Sequence, residues 1–147
     1  MNLLILSKKV QMKRTLYLKG MERINLTIEE FAKKYYLHDS TIEKINYDAE
    51  NKTLILEIDF CFWMQIWYDK NTPENGLIAV NFETVSMFEY ENHEFSNVLE
   101  NLDTEIDHTE ITSDGILEIY IREYVNSNED KFWWIKIKAE NVTVEEI

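Results

Sequence analysis

His38, Asp39 and Ser40 follow one another in the sequence, and an adjacent His and Asp can ligate a metal or move a proton. A metal site would need more ligands, and only His93 and His108 remain to supply imidazoles. Neither stands at a ligand spacing such as His-x-x-x-His. The plainer assignment is a turn, in which Asp39 or Ser40 caps backbone groups and His38 packs at a helix-to-strand corner. Cys61 is the single cysteine. A reactive thiol needs a nearby base or positive charge, and Glu57 and Asp59 are acidic, so Cys61 reads as inert. Glu57 and Asp59 fall on one strand face, about 7 Å apart. Such a pair does acid–base work only when one member is buried. Nothing in the sequence buries either, so they read as a solvated acidic face. There is no Gly-rich phosphate loop, nucleophile elbow or Cys-x-x-Cys. These residues predict no enzyme, no metal and no cofactor.

The aromatic residues point elsewhere. Trp63 and Trp67 oppose an apolar row at the even positions from Leu54 to Ile66. Tyr120 and Tyr124 oppose Leu117, Ile119 and Ile121, and Trp134 opposes Trp133, Ile135 and Ile137. If these second faces join, they form an aromatic surface edged with acid, and aromatics with depleted Lys are a protein-interface signature. The competing arrangement covers the same face with a second layer or with the N-terminal segment. The partner-binding candidates are Trp63, Trp67, Glu57, Asp59, Tyr120 and Trp134, with His38, Asp39 and Ser40 as the turn motif.

The elements that would hold these residues can be read from periodicity. Thr27 followed by Glu30 is a capping box. Ile28, Phe31, Ala32, Tyr35 and Tyr36 form an apolar stripe, which predicts a helix over 28–36. A strand follows over 41–47, then a polar turn over 48–52. Alternation from Leu54 to Ile66 predicts one long strand, Thr53 to Trp67. A strand of that length must bend, and its character changes near Phe60. Further strands are predicted over 77–90, 104–111, 116–124 and 132–140, the last with room to continue through Val142 and Val144. Phe95, Val98, Leu99 and Leu102 have the spacing of a short helix. Asp114-Gly115 marks a hairpin. Consecutive strands with short links favour antiparallel pairing. The expected fold is therefore α+β: a curved antiparallel sheet of about 5–7 strands with one main packed helix and one short helix. A closed barrel or a two-layer sandwich is also compatible.

Bulk properties narrow the classes. A length of 147 residues suits a single domain, taken as 21–147, with residues 1–20 as an arm or extra edge strands. The first 24 residues hold six basic side chains against one acidic, yet the whole chain carries a net charge of −13. The body is thus strongly acidic and repels phosphate backbones, which argues against nucleic acid and suits a basic protein partner. Excess acid that merely aids solubility is the simpler reading. No run of 18 apolar residues predicts a membrane span. The N-terminal Leu3–Leu6 run is followed, not preceded, by lysines, unlike a secretory signal, so a cytoplasmic location is expected. The oligomeric state is left open.

The segment Tyr36-Leu37-His38-Asp39-Ser40-Thr41-Ile42-Glu43-Lys44-Ile45, with the hairpin into Leu54-Ile55-Leu56-Glu57-Ile58, resembles small bacterial proteins of unknown function. These carry a Leu-His-Asp-Ser/Ala segment just before their first hairpin. Trp134-Ile135-Lys136-Ile137-Lys138-Ala139-Glu140 is similar to their last strand. Some relatives resemble immunity proteins of bacterial polymorphic toxin systems. The resemblance implies a non-enzymatic, toxin-neutralising binder and no catalytic residues. A small-ligand or metal-dependent domain using His38 and Asp39, and a structural oligomerisation module, are the alternatives.

Overall fold

In the computed structural model, which describes residues 25–91, 98–99, 104–126 and 129–147, the chain enters a helix through the capping box. The Thr27 hydroxyl accepts from the Glu30 N–H at 3.1 Å, and the Glu30 carboxylate accepts from the Thr27 N–H at 2.9 Å. The helix α1 (Ile28–Lys34) has only seven residues. It stops there because Tyr36 gives its backbone N–H and C=O to the side-chain amide of Gln65, each at 2.8 Å, rather than to another helical turn. Ile28 and Phe31 are buried, and Phe31 stacks on Tyr35 and meets Phe82 edge-on.

Among the described residues seven strands follow: β1 (Thr41–Asp48), β2 (Thr53–Cys61), β3 (Asn75–Tyr90), β4 (Val98–Leu99), β5 (Thr104–Ile111), β6 (Leu117–Asn126) and β7 (Glu129–Glu146). All pairings are antiparallel, and the order runs β2-β3-β7-β6-β5-β1. β1 also pairs with β2, so the six strands return on themselves as a closed ring. The seam is short. Thr41 faces Glu105 and Ile42 faces Thr104, and the backbone bonds Asp39 N–H to Ile106 O and Ile106 N–H to Ser40 O continue it. β4 lies further along the same edge of β1, opposite Ile45 and Asn46. Register breaks near Lys44, Met87, His108 and Asn126 add the bends that closure needs.

The inward residues form one core. Leu54, Leu56 and Ile58 of β2, Ile78, Val80 and Phe82 of β3, and Leu117, Ile119 and Ile121 of β6 are all buried. Ile135, Ile137, Val142 and Val144 join them from β7. The core face of β7 changes parity between Ile137 and Val142, opposite a similar change in β3 around Thr84, whose φ is 55°. Leu26 pairs with Val142 on the stretch of β7 beyond its pairing with β6. α1 then crosses toward Thr109–Ile111 of β5, closing that part of the wall.

Three expectations are corrected. The fold is not an α+β sheet with a main packed helix: the described residues are 64% strand and 9% helix, and the α-helix among them is short. The long strand Thr53 to Trp67 ends at Cys61 and passes into a 3₁₀ turn over Phe62–Met64. There the Cys61 N–H bonds to the Ser40 hydroxyl at 3.1 Å instead of to a strand, and the Trp63 N–H bonds to the Glu74 carbonyl. Ile66, the last residue of the apolar row, is 100% exposed, while Gln65 on the opposite parity is 5% exposed. Finally, Val98 and Leu99 are extended, not helical, because they meet the edge of β1. Phe95 and Leu102 of that expected helix, His93 and residues 1–20 lie outside the described residues.

Candidate binding face on β5, β6 and β7

The His38-Asp39-Ser40 corner sits at the barrel seam. Ser40 is fully buried, and its hydroxyl holds the Cys61 N–H. Asp39 takes a left-handed φ of 65°, which Asp tolerates better than most residues, and this turn brings its N–H to Ile106. His38 Nδ1 donates to the backbone carbonyl of Asp107, and Nε2 lies 3.3 Å from the Asp39 carboxylate. The three residues thus fasten the start of β1 to the middle of β5 and to the end of β2. Cys61 packs below them, its thiol against the Asp39 carbonyl and the Asn75 amide. Burial pushes the thiol pKa up, with the nearby Asp39 and Asp59 charges in the same direction. It is a poor nucleophile for that reason.

The outward side of β5, β6 and β7 is ordered by their register. One row runs His108, Tyr120, Trp134. The His108 and Tyr120 rings stack at 4.5 Å and 10°. A second row runs Glu105, Arg122, Phe132, with the Arg122 guanidinium 5.6 Å above the Phe132 ring. A third runs Glu110, Glu118, Lys136, with the Lys136 ammonium 4.4 Å above Trp134 and 3.6 Å from Glu118. Tyr124 and Asp130 face each other beyond the second row. Tyr124 and Phe132 are 58% and 55% exposed.

Asp107 is the extra residue at the bulge in β5, which turns its carboxylate toward its neighbours. It accepts from His108 Nδ1 at 2.7 Å and from Arg122 Nη2 at 3.2 Å. The His108 hydrogen bond, with the Arg122 and His38 charges behind it, holds its pKa below the ordinary carboxylate range. Glu105 moves the other way. Partial burial and a hydrogen bond with the Asp39 carboxyl raise its pKa, against weaker help from Arg122 and Tyr124. The Tyr120 hydroxyl donates to Glu118 at 2.9 Å, which raises the phenol pKa.

The six partner-binding candidates divide between two sides of the barrel. Tyr120 and Trp134 stand on the face just described, and the His38–Asp39 corner borders it through Asp107 and Glu105. Glu57 and Asp59 are on β2, which is three strands from β6 in either direction round the ring, so they look out on the opposite side. Glu57 pairs there with Lys44 at 3.8 Å. Trp63 is half exposed on the 3₁₀ turn beyond β2. Trp67 packs against Tyr35, Phe60 and Phe62, and its indole N–H donates to the Lys34 carbonyl at 3.0 Å. Sequence reasoning did not single out Asp107, Arg122 and Phe132 as site residues. Arg122 shares the outward parity of Tyr120 and Tyr124 and was legible on that ground; the outward turn of Asp107 depends on the bulge and was not.

Among the described residues, no group of three or more His, Cys, Asp or Glu side chains is placed to hold a metal ion. Among them also, no helix is long and apolar enough to cross a membrane. No family model, no curated protein and no solved structure matches the chain.

Proposed function

We propose that this chain is a non-enzymatic protein-binding domain, of the toxin-neutralising immunity type, whose β5–β6–β7 face receives a basic protein partner. The observation that supports it most is the composition of that face. Tyr120, Tyr124, Phe132 and Trp134 stand together with Glu105, Asp107, Glu110, Glu118 and Asp130, while Arg122 and Lys136 are engaged by neighbouring acids and rings. Aromatic anchors in an acidic surround fit a protein surface rich in Lys and Arg. Stacking and cross-strand bonds hold the rings in place before binding, which lowers the entropy lost on association. The net charge of −13 draws such a partner in and disfavours nucleic acid. A single cysteine, buried and without a disulfide, is in keeping with a cytoplasmic site of action.

The test is calorimetric titration of the chain with the protein encoded by the adjacent open reading frame. A complex of about micromolar affinity or tighter, weakening steeply as salt is raised, is the expected result. Absence of a complex, or one that salt leaves unchanged, contradicts the proposal.

A further inference from the structure

On the same face a groove of about 260 Å³ is lined by Glu91, Asp107, His108, Tyr120, Phe132, Trp133 and Trp134. We infer that this groove seats one arginine side chain of the docked partner, its guanidinium held among the aromatic rings and between the two carboxylates. The inference rests on the docking reading above and specifies its anchor.

Size is the first argument. Small-molecule sites usually span about 300–1,000 Å³, so this groove suits a single long side chain better than a free ligand. Charge is the second. Glu91 and Asp107 are acidic, no Lys or Arg lines the groove, and Asp107 is held ionised by His108 and Arg122. Among the described residues the Glu91 side chain has no hydrogen-bond or ion-pair partner, while its N–H is fixed to the Trp134 carbonyl at 3.0 Å. The same wall already holds cations against its rings. Lys136 lies over Trp134 and Arg122 over Phe132, so two of the lining rings already present a face to a cation. Arginine rather than lysine follows from the apolar walls, since a planar guanidinium stacks on rings and gives up its water more readily than an ammonium.

The probe is N-acetyl-arginine methylamide, titrated into the ¹⁵N-labelled chain while the four indole N–H signals are followed. The lysine analogue and the neutral citrulline analogue are run in parallel. The arginine probe is expected to shift the Trp134 signal saturably with a dissociation constant of about millimolar order, and to leave Trp63 unmoved. Glu91→Gln and Phe132→Leu are each expected to weaken it about three- to fivefold, and the citrulline analogue to bind at least that much more weakly. Both substitutions fall on side chains outside the core, and signal dispersion verifies that each variant is folded. A Trp134 signal that does not saturate, or that responds equally to lysine or citrulline, overturns the inference. The two readings fail separately. A salt-sensitive complex with the neighbouring protein alongside an unresponsive groove removes only the arginine anchor; a missing complex removes the docking reading.

Discussion

Gln65 and Glu105 show how single side chains set this structure. Gln65 stands on the polar parity of the apolar row, yet it is buried because its amide replaces ladder bonds: it receives the Tyr36 N–H and donates to the Tyr36 and Cys61 carbonyls. Gln65→Leu leaves these backbone groups without partners and is expected to destabilise the fold by at least about 2 kcal/mol in urea unfolding. Glu105 holds its proton more tightly in the folded chain than in the unfolded one, because burial and Asp39 disfavour its charge. Its contribution therefore favours folding at low pH and is lost as pH rises through the raised pKa. Glu105→Gln, which keeps a donor for Asp39 and an acceptor for Tyr124, is expected to stabilise the protein at neutral pH by about a few tenths of a kcal/mol. In thermal melts that gain should shrink as pH falls toward about 4. The His38-Asp39-Ser40 corner was legible because small polar residues between a helix and a strand mark a turn. What it fastens was not, since Ile106 and Cys61 are far away in sequence.

At the level of elements, α1 and β2 had legible starts and illegible ends. The capping box gives the first residue of α1, and Thr27→Ala is expected to lower stability by about 1 kcal/mol in denaturant titration. The apolar stripe runs on through Tyr36, but a distant Gln65 decides where the helix stops. β2 makes the same point. Alternation persists to Ile66, although the strand ends at Cys61. The residues past that point are apolar for other reasons: Phe62 fills the core from a 3₁₀ turn, and Ile66 faces solvent. Ile66→Asp is therefore expected to change unfolding free energy by no more than about 0.5 kcal/mol. Phe60→Ala, which empties a site packed by Tyr35, Phe62 and Trp67, should cost about 3–5 kcal/mol. Comparable losses at both positions would restore the long strand.

For the whole molecule, the deciding feature is closure. Periodicity identified most of the strands and their inward faces. It carried no information on ring order, because the β1–β5 seam joins segments more than 60 residues apart through two register pairs. That seam is what places β2 opposite β6, separates Glu57 and Asp59 from Tyr120 and Trp134, and gathers the aromatic and acidic groups of β5, β6 and β7 on one side. The functional reading stands on that one side. The most direct test is calorimetric titration of the neighbour-encoded protein into three chains: wild type, Tyr120→Ala with Trp134→Ala, and Trp63→Ala. The β6–β7 double substitution is expected to weaken the complex by about tenfold or more, with Trp63→Ala close to wild type. A loss of affinity with Trp63→Ala and none with the double substitution would contradict the assignment.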